Sequence, residues 1–517
     1  MLRMLKTKPL HQLTFLTVIL LLMVACQPQP PILVYVTPTQ PEEVAAANTD
    51  VPTLQPSLSP TDTLPSLTST VGATETPAIQ PTGPMGTFEG SVIQPGYTLP
   101  PTSTPRPTNT LPPPPPSETP APGATQSSAE PPTHPPPVAP QGALPNLDAG
   151  LMGIQLDPTL DQTDWNNALG DIQKLGVKWL KVQVAWKQLQ PNNAQEISED
   201  FRRLEIYLET AFNQGLDILI SIAKAPNWAR SNQNEDGPPD NPQALVDFLN
   251  LFLREVGPSI DAIEIWNEPN LLREWQGKPL NGRSYMEYFV PAYNAAKQYA
   301  ESMKTDPNQP RNFPLFVIAA GTAPTGDSEG SRDDRAYLQE MYSAGLAQYT
   351  DVYVGIHPYG WGNSPDDTCC QPSQDRGWDD SRKFFFMDSM NDYREIMVRN
   401  GHGDGKMWIT EFGWATWSGL PGDPPQPWMG YVDECQQAND IIRAFEIGQS
   451  LDYMGPMILW NLNFAVLAGM VDNRDERAAY SLIVPLDPRE RAAYWMIYDA
   501  IRPEENLPSY SRCPGAS

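Results

Sequence analysis

Basic residues are scarce in this chain: its 517 residues hold 34 Lys and Arg against 61 Asp and Glu, a formal charge of -27. A phosphate backbone calls for a basic face, and no Lys/Arg cluster is present, which excludes nucleic acid as a partner. An acidic surface suits solubility and is compatible with a neutral polysaccharide. Histidine occurs four times among 517 residues and no Cys-x-x-Cys spacing occurs, which argues against structural zinc. No Gly-rich, phosphate-cradling loop follows an early strand, which argues against a doubly wound nucleotide-binding sheet. The apolar run at 13–25 is too short for a comfortable membrane span.

That run follows Arg3, Lys6 and Lys8 and precedes Cys26, the layout of a secretory signal over residues 1–26. Its ending, Leu22-Met-Val-Ala-Cys26, resembles the bacterial lipobox. The resemblance implies that Cys26 is lipidated, becomes the mature N-terminus and anchors an exported protein to a membrane, facing outside the cytoplasm. Cleavage nearby without lipidation is the alternative. Residues 27–148 hold just over half of the 59 prolines, together with Thr, Ser and Ala, and Leu111 is followed by five prolines in a row. Such a stretch buries no core and is expected to be a disordered, extended tether. Export favours disulfides among Cys369, Cys370, Cys435 and Cys513, and of the three possible pairings one that joins Cys369 or Cys370 to Cys435 is expected.

From 149 to 517 apolar runs alternate with amphipathic stretches. Strands are expected at 151–156, 177–185, 216–223, 262–266, 314–320, 352–357, 407–410 and 457–461. Helices are expected at 164–175, 201–214, 242–256, 284–303, 335–344, 384–399, 432–450 and 490–501. Eight strand and helix units predict an α/β fold of the (β/α)8 TIM barrel type. That fold gathers chemistry at the carboxyl ends of its strands, where Lys224, Asn267, Glu268, His357, Tyr359, Glu411 and Asn461 all fall. Residues 263–270 read Ile-Glu-Ile-Trp-Asn-Glu-Pro-Asn, and Pro269 lacks the amide proton to extend a ladder. Residues 406–413 read Lys-Met-Trp-Ile-Thr-Glu-Phe-Gly, a second apolar run ending on a carboxylate. Two carboxylates on two strand ends are the minimum equipment for cleaving a glycosidic bond. One residue fits poorly. Alternation points Glu264 to the same side as Glu268, toward an interior that should be apolar, so Glu264 has a partner there or the strand is bulged.

The segment Glu264-Ile-Trp-Asn-Glu-Pro-Asn-Leu271 resembles the acid/base motif of the retaining (β/α)8-barrel glycoside hydrolases of clan A type, especially the family 39 β-xylosidases and the family 5 cellulases. The resemblance implies that Glu268, ending the fourth strand, is the acid/base and that Glu411, ending the seventh, is the nucleophile. It implies a carboxyl separation of roughly 5 Å and retention of configuration. It further implies that Asn267 binds the sugar 2-hydroxyl, that Tyr359 and His357 stand beside Glu411, and that Trp460 is the aromatic platform. Residues 182–191 resemble the second-strand segment of those families and contain Trp186, with Gln190 where an acid is usual and Lys181 near where an Arg is often found. Residues 225–229, Ala-Pro-Asn-Trp-Ala, resemble the third-strand loop and place Trp228 along the cleft. No metal or organic cofactor is required. The expected function is hydrolysis of β-linked poly- or oligosaccharide by double displacement. Two alternatives are a transglycosylase using the same residues and a non-catalytic glycan-binding surface lipoprotein on the same scaffold. Loop geometry, not these strand ends, selects among xylan, glucan, mannan and galactan, and no pattern in the chain sets an oligomeric state.

Overall fold

The computed structural model describes residues 144–305, 314–370 and 380–502. Cys26, Cys513 and the expected tether up to residue 143 lie outside the described residues. Eight parallel strands close into a barrel in chain order, with the last pairing the first. They are β1 Met152–Leu156, β2 Trp179–Ala185, β3 Asp217–Ala223, β4 Ala262–Ile265, β5 Phe316–Ala319, β6 Val352–Ile356, β7 Met407–Phe412 and β8 Met454–Leu459. Around them lie α1 Gln162–Leu175, α2 Glu199–Asn213, α3 Pro242–Val256, α4 Gly282–Met303, α5 Asp334–Ser343, α6 Phe386–Arg399, α7 Glu434–Gln449 and α8 Ala492–Ala500. This is the expected (β/α)8 barrel. Leu147 already belongs to it, since its amide donates to Ala500 O at 2.9 Å and its side chain is buried.

The helices start where the sequence supplies a cap. Asp161, Ser198, Asn241, Asn281, Asp333 and Asp433 each accept from amides in the first turn of α1, α2, α3, α4, α5 and α7. Each such cap contributes about 1 kcal/mol. Apolar stripes such as Leu169 and Ile172 on α1 and Phe248 and Phe252 on α3 pack on the outer face of the sheet, in one large core. No helix among the described residues is long and apolar enough to cross a membrane.

The barrel interior is a second, separate core. Trp179, Leu219, Ala262, Ile318, Trp408 and Ile458 fill it, with Phe316 and Tyr353 packed against them and the Trp179 and Trp408 rings edge-on at 4.9 Å. Two residues further along the same strands, alternation brings Lys181, Ser221, Glu264 and Thr410 to the same inward side, all fully buried. An aromatic floor therefore lies beneath a polar layer. The register of β4 is unbroken on both sides, so Glu264 faces inward without a bulge and has a partner, Lys181, at 3.3 Å.

The bulge lies in β7 instead. Ile409 pairs with Met457 and Phe412 with Leu459, so three steps on β7 oppose two on β8. An extra residue in one strand re-aims the side chains beside it. It puts Thr410 and Glu411, neighbours in sequence, at the same site. β7 runs to Phe412, beyond the expected end at 410, because Phe412 still pairs with Leu459 and accepts from Trp460 N at 2.9 Å. The disulfides differ from expectation as well: Cys369 is bonded to its neighbour Cys370, and Cys435, at the start of α7 and packed against the outer core, is disulfide-bonded as well.

Candidate active site

Glu268 is placed by a backbone that leaves the strand abruptly. Trp266 and Glu268 have φ of +77° and +45°, left-handed values that cost a non-glycine residue on the order of 1 kcal/mol each. The neighbours hold them there. The Trp266 indole donates to Glu274 O at 2.9 Å and sits edge-on to Trp275, while the Glu268 amide donates to Gly321 O at 3.0 Å. The Tyr285 hydroxyl of α4 donates to Ile265 O at 2.7 Å and accepts from Ala320 N at 2.8 Å, tying the ends of β4 and β5 together.

One carboxylate oxygen of Glu268, one of Glu411 and a ring nitrogen of His357 all lie within 4.8 Å of one another. His357 Nδ1 is 3.3 Å from Glu268 Oε1 and 3.8 Å from Glu411 Oε2, and His357 Nε2 is 3.1 Å from Thr410 Oγ1. All three side chains are buried. The other Glu268 oxygen, Oε2, accepts from Arg273 Nη2 at 3.2 Å.

Glu411 has a different environment. Lys181 Nζ donates to its Oε1 at 3.0 Å and the Tyr359 hydroxyl donates to its Oε2 at 3.0 Å. Burial alone would push this carboxyl up, but the Lys181 charge, His357 and the two hydrogen bonds outweigh it and hold it below the usual carboxylate range. Lys181 is itself fully buried and fixed from three sides, by Glu411, by Glu264 and by Thr410 O at 3.1 Å. Burial works against its charge, yet Glu264 and Glu411 raise its pKa above the ordinary lysine value. At neutral pH the site contains an ionised Glu411 and, across from it, a carboxyl that touches an imidazole and a guanidinium.

The structure brings together most of the residues singled out from sequence. Glu268, Glu411, His357 and Tyr359 are in mutual contact as described. Asn267 is buried and its Oδ1 has no hydrogen-bond partner. Trp460, directly after β8, stands edge-on to Tyr359 at 6.0 Å and to Tyr480 at 5.0 Å. Trp228 is half-buried, with its indole donating to Gln190 O at 2.7 Å. Trp186 is placed differently from the expectation. It is fully buried, stacks on Phe248 of α3 at 4.8 Å and donates to Gln190 Oε1 at 2.9 Å, so it is a packing residue between β2 and the helix layer.

Sequence reasoning left out Arg273, Thr410 and the Lys181 and Glu264 pair as working parts of the site. For the pair a signal existed: one cation and one anion, each in the interior of an apolar strand, are unfavourable unless they meet. For Arg273 there was none, because its position depends on the turn after β4.

No protein-family model matches this chain, and no curated protein does. Among solved structures it is similar to a family 39 glycoside hydrolase from the gut symbiont Bacteroides cellulosilyticus WH2, at 15% identity over 69% of this chain and 64% of that one, with a TM-score of 0.49. It is also similar to a GH5_18 variant from Bifidobacterium longum subsp. longum in complex with Manβ1-4GlcNAc, at 13% identity over 69% and 79% of the two chains and a TM-score of 0.45. A third is an endo-β-1,4-glucanase from Xanthomonas axonopodis pv. citri, at 10% identity over 68% and 98% and a TM-score of 0.42. This chain spans 64% of the length of the first of these, under two thirds. At these identities the likeness to glycoside hydrolases is one of fold, and the barrel itself rests on the strand pairing given above.

Proposed function

We propose that this chain is a retaining glycoside hydrolase that cleaves β-glycosidic bonds of a poly- or oligosaccharide by double displacement. The observation that carries the reading is the approach of Glu268 and Glu411 to within 4.8 Å, in unlike surroundings. Carboxyl groups about 5 Å apart leave room for direct attack on the anomeric carbon, whereas inversion needs a wider gap that holds a water. Glu411, kept ionised by Lys181, attacks the anomeric carbon while Glu268 gives a proton to the departing oxygen. The glycosyl ester on Glu411 no longer carries the carboxylate charge. Glu268, now deprotonated, takes a proton from the incoming water, which cleaves the ester with a second inversion. Asn267 Oδ1 is an acceptor for a sugar hydroxyl, and Trp460 offers a ring face to the apolar side of the sugar.

Glu411→Ala is expected to abolish turnover of aryl β-glycosides, and azide is expected to restore it partly, yielding a glycosyl azide of inverted configuration. Undiminished turnover in that variant, or release of the inverted anomer by the wild-type enzyme, would defeat the proposal. We further propose, on the lipobox resemblance of Leu22-Met-Val-Ala-Cys26 alone, that the protein is exported and anchored by a lipid on Cys26. Incorporation of labelled fatty acid that is lost in Cys26→Ser tests this.

A further inference from the structure

Arg273 stands on the short turn Leu272–Trp275 after β4, and that turn is clamped on both sides. The Leu271 amide donates to Glu268 O at 3.0 Å, the Leu272 amide to Gly330 O at 2.8 Å and the Glu274 amide to Leu271 O at 3.0 Å. The Trp266 indole reaches Glu274 O and the Trp275 indole reaches Ser284 Oγ at 3.3 Å, while the Glu274 and Trp275 side chains are buried. The guanidinium therefore leaves a fixed backbone when it donates to Glu268 Oε2 at 3.2 Å. Ion pairs between two exposed groups contribute little. This pair differs from those, because the Glu268 side chain is 3% exposed, although the Arg273 side chain at 38% remains open to water.

A guanidinium this close favours the ionised form of a carboxyl, and it keeps its charge at every working pH. Other groups face Glu268 as well. His357 is on Oε1 at 3.3 Å, and Glu411, with Lys181 behind it, has an oxygen within 4.8 Å. Further off are Tyr359, Glu274 with its partner Lys224 at 3.4 Å, and Glu476 in the loop after β8. Among the near groups, Glu411 is the one whose charge double displacement removes. While anionic it opposes ionisation of Glu268 and so offsets Arg273. Once Glu411 is esterified that opposition is gone, and Arg273 acts at the moment when Glu268 has to be a base.

We propose that Arg273 is a positioning residue for the second half of the reaction: it holds Glu268 in place as a carboxylate while water attacks the glycosyl ester. This rests on the glycosidase reading and deepens it. In that step the water oxygen bonds to the anomeric carbon and the bond to Glu411 breaks, its electron pair staying on the Glu411 carboxylate. The water proton passes to Glu268, which is then ready to act as an acid again. Azide makes the same displacement as an anion with no proton to give up, so it needs neither Glu268 nor Arg273.

The test uses 2,4-dinitrophenyl β-glycosides of several sugars, whose leaving group needs no protonation, so that the second step limits kcat. Arg273→Met is expected to lower kcat about tenfold, the low end for losing an opposite charge this near, because water screens the half-buried guanidinium. KM should fall with it, since the glycosyl-enzyme accumulates. The acidic limb of kcat should move to higher pH, because a carboxylate without its cation holds a proton longer. Azide should restore kcat in Arg273→Met, yielding a glycosyl azide with the configuration of the substrate, and do little for the wild type. Arg273→Lys, which keeps the charge, should recover most of the loss. The azide comparison is made within one preparation, so it reads the folded fraction even where Arg273→Met folds poorly. A merely structural role would lower the rate with and without azide alike. Wild-type kcat in Arg273→Met, or a loss that azide does not relieve, overturns the inference and leaves the glycosidase reading standing. A wild type that turns over none of the glycosides defeats that reading, and this inference falls with it.

Discussion

His357 Nε2 and Thr410 Oγ1 stand 3.1 Å apart, and this contact fixes where a proton sits in the site. The single hydroxyl proton of Thr410 is spent on Glu264 Oε1, 2.7 Å away, so Oγ1 can only accept from His357, and Nε2 carries a hydrogen. His357 Nδ1 and Glu268 Oε1, at 3.3 Å, then share one further proton, held either as imidazolium or as carboxylic acid. Burial pulls the His357 pKa down, but the Glu411 charge and the bond to Glu268 outweigh it and leave the ring above its ordinary value.

Thr410→Val tests this arrangement. The valine removes the acceptor for Nε2–H without changing the size of the side chain, so the doubly protonated ring becomes less favourable. The shared proton is then lost at lower pH. The basic limb of the kcat/KM profile should move to lower pH, and kcat should fall by up to about a hundredfold, the lower end of what a positioned proton donor contributes. An unmoved basic limb would show that Thr410 does not set the tautomer.

Lys181→Met addresses the other carboxylate. The lysine lies between Glu264 at 3.3 Å and Glu411 at 3.0 Å, all three buried, so its removal leaves two acids facing each other without a cation. Breaking such a group from one side costs about 3–5 kcal/mol, which a thermal melt will register. In the wild type the Glu411 pKa is lowered, so its favourable term is present above the unfolded value near 4.5 and is lost as pH falls through the folded one. Without Lys181 the acidic limb of the rate profile should move to higher pH. The double variant with Glu264→Gln should regain part of the lost stability, and failure of both expectations would remove Lys181 from the description of the nucleophile.

Much of this fold is legible in the chain because its signals are local. Strands of β-branched and aromatic residues bounded by caps and glycines locate all eight strands to within a few positions, and the Asn-Glu-Pro and Thr-Glu-Phe ends locate both acids. What escapes depends on partners distant in sequence. The expected fourth strand ran to Trp266, but β4 ends at Ile265 because Trp266 turns left-handed to reach Glu274. The eighth was expected at 457 and begins at Met454, because Gly455 and Pro456 read as turn residues although they lie within the strand. Trp186 carries a motif resemblance, yet its contacts with Phe248 and Gln190 could only come from coordinates.

Asp440 gives a prediction about stability alone. It lies on α7, is buried, and its Oδ2 has no hydrogen-bond partner. Burial pushes its carboxyl up to about 8, against hydrogen bonds from Ser364 and Gln436 that lower it, with Asp367 and Asp366 adding to the rise. The folded chain therefore holds this proton up to about pH 8, whereas an unfolded one releases it near the model-compound value of 3.8. Its favourable term is fully present below 3.8 and is lost as pH rises through 8. Asp440→Asn keeps the shape and removes the titration. It should raise the melting temperature at pH 9, by the equivalent of on the order of a few kcal/mol, and change little at pH 5. Equal shifts at the two pH values would argue against a buried, proton-holding Asp440.

Gly321 closes the circuit between the two carboxylates, and a single methyl group tests it. Its amide donates to Glu264 Oε1 at 2.9 Å and its carbonyl accepts from Glu268 N. A Cβ at this position would lie 2.7 Å from Thr410 Oγ1 and closer still to the His357 ring, so the ring must give way. Overpacking of this kind costs about 1–3 kcal/mol, which the extensive core of the barrel can absorb without unfolding. Displacing His357 by even part of an ångström separates Nδ1 from Glu268. Because misplacement near 1 Å costs about a hundredfold in rate, Gly321→Ala should fold, melt a few degrees lower and lose about that factor in kcat, with KM less affected. A folded Gly321→Ala enzyme with full kcat would mean that the imidazole can leave its position at no cost to proton transfer, and the proton shared by His357 and Glu268 would then be a feature of the resting site alone.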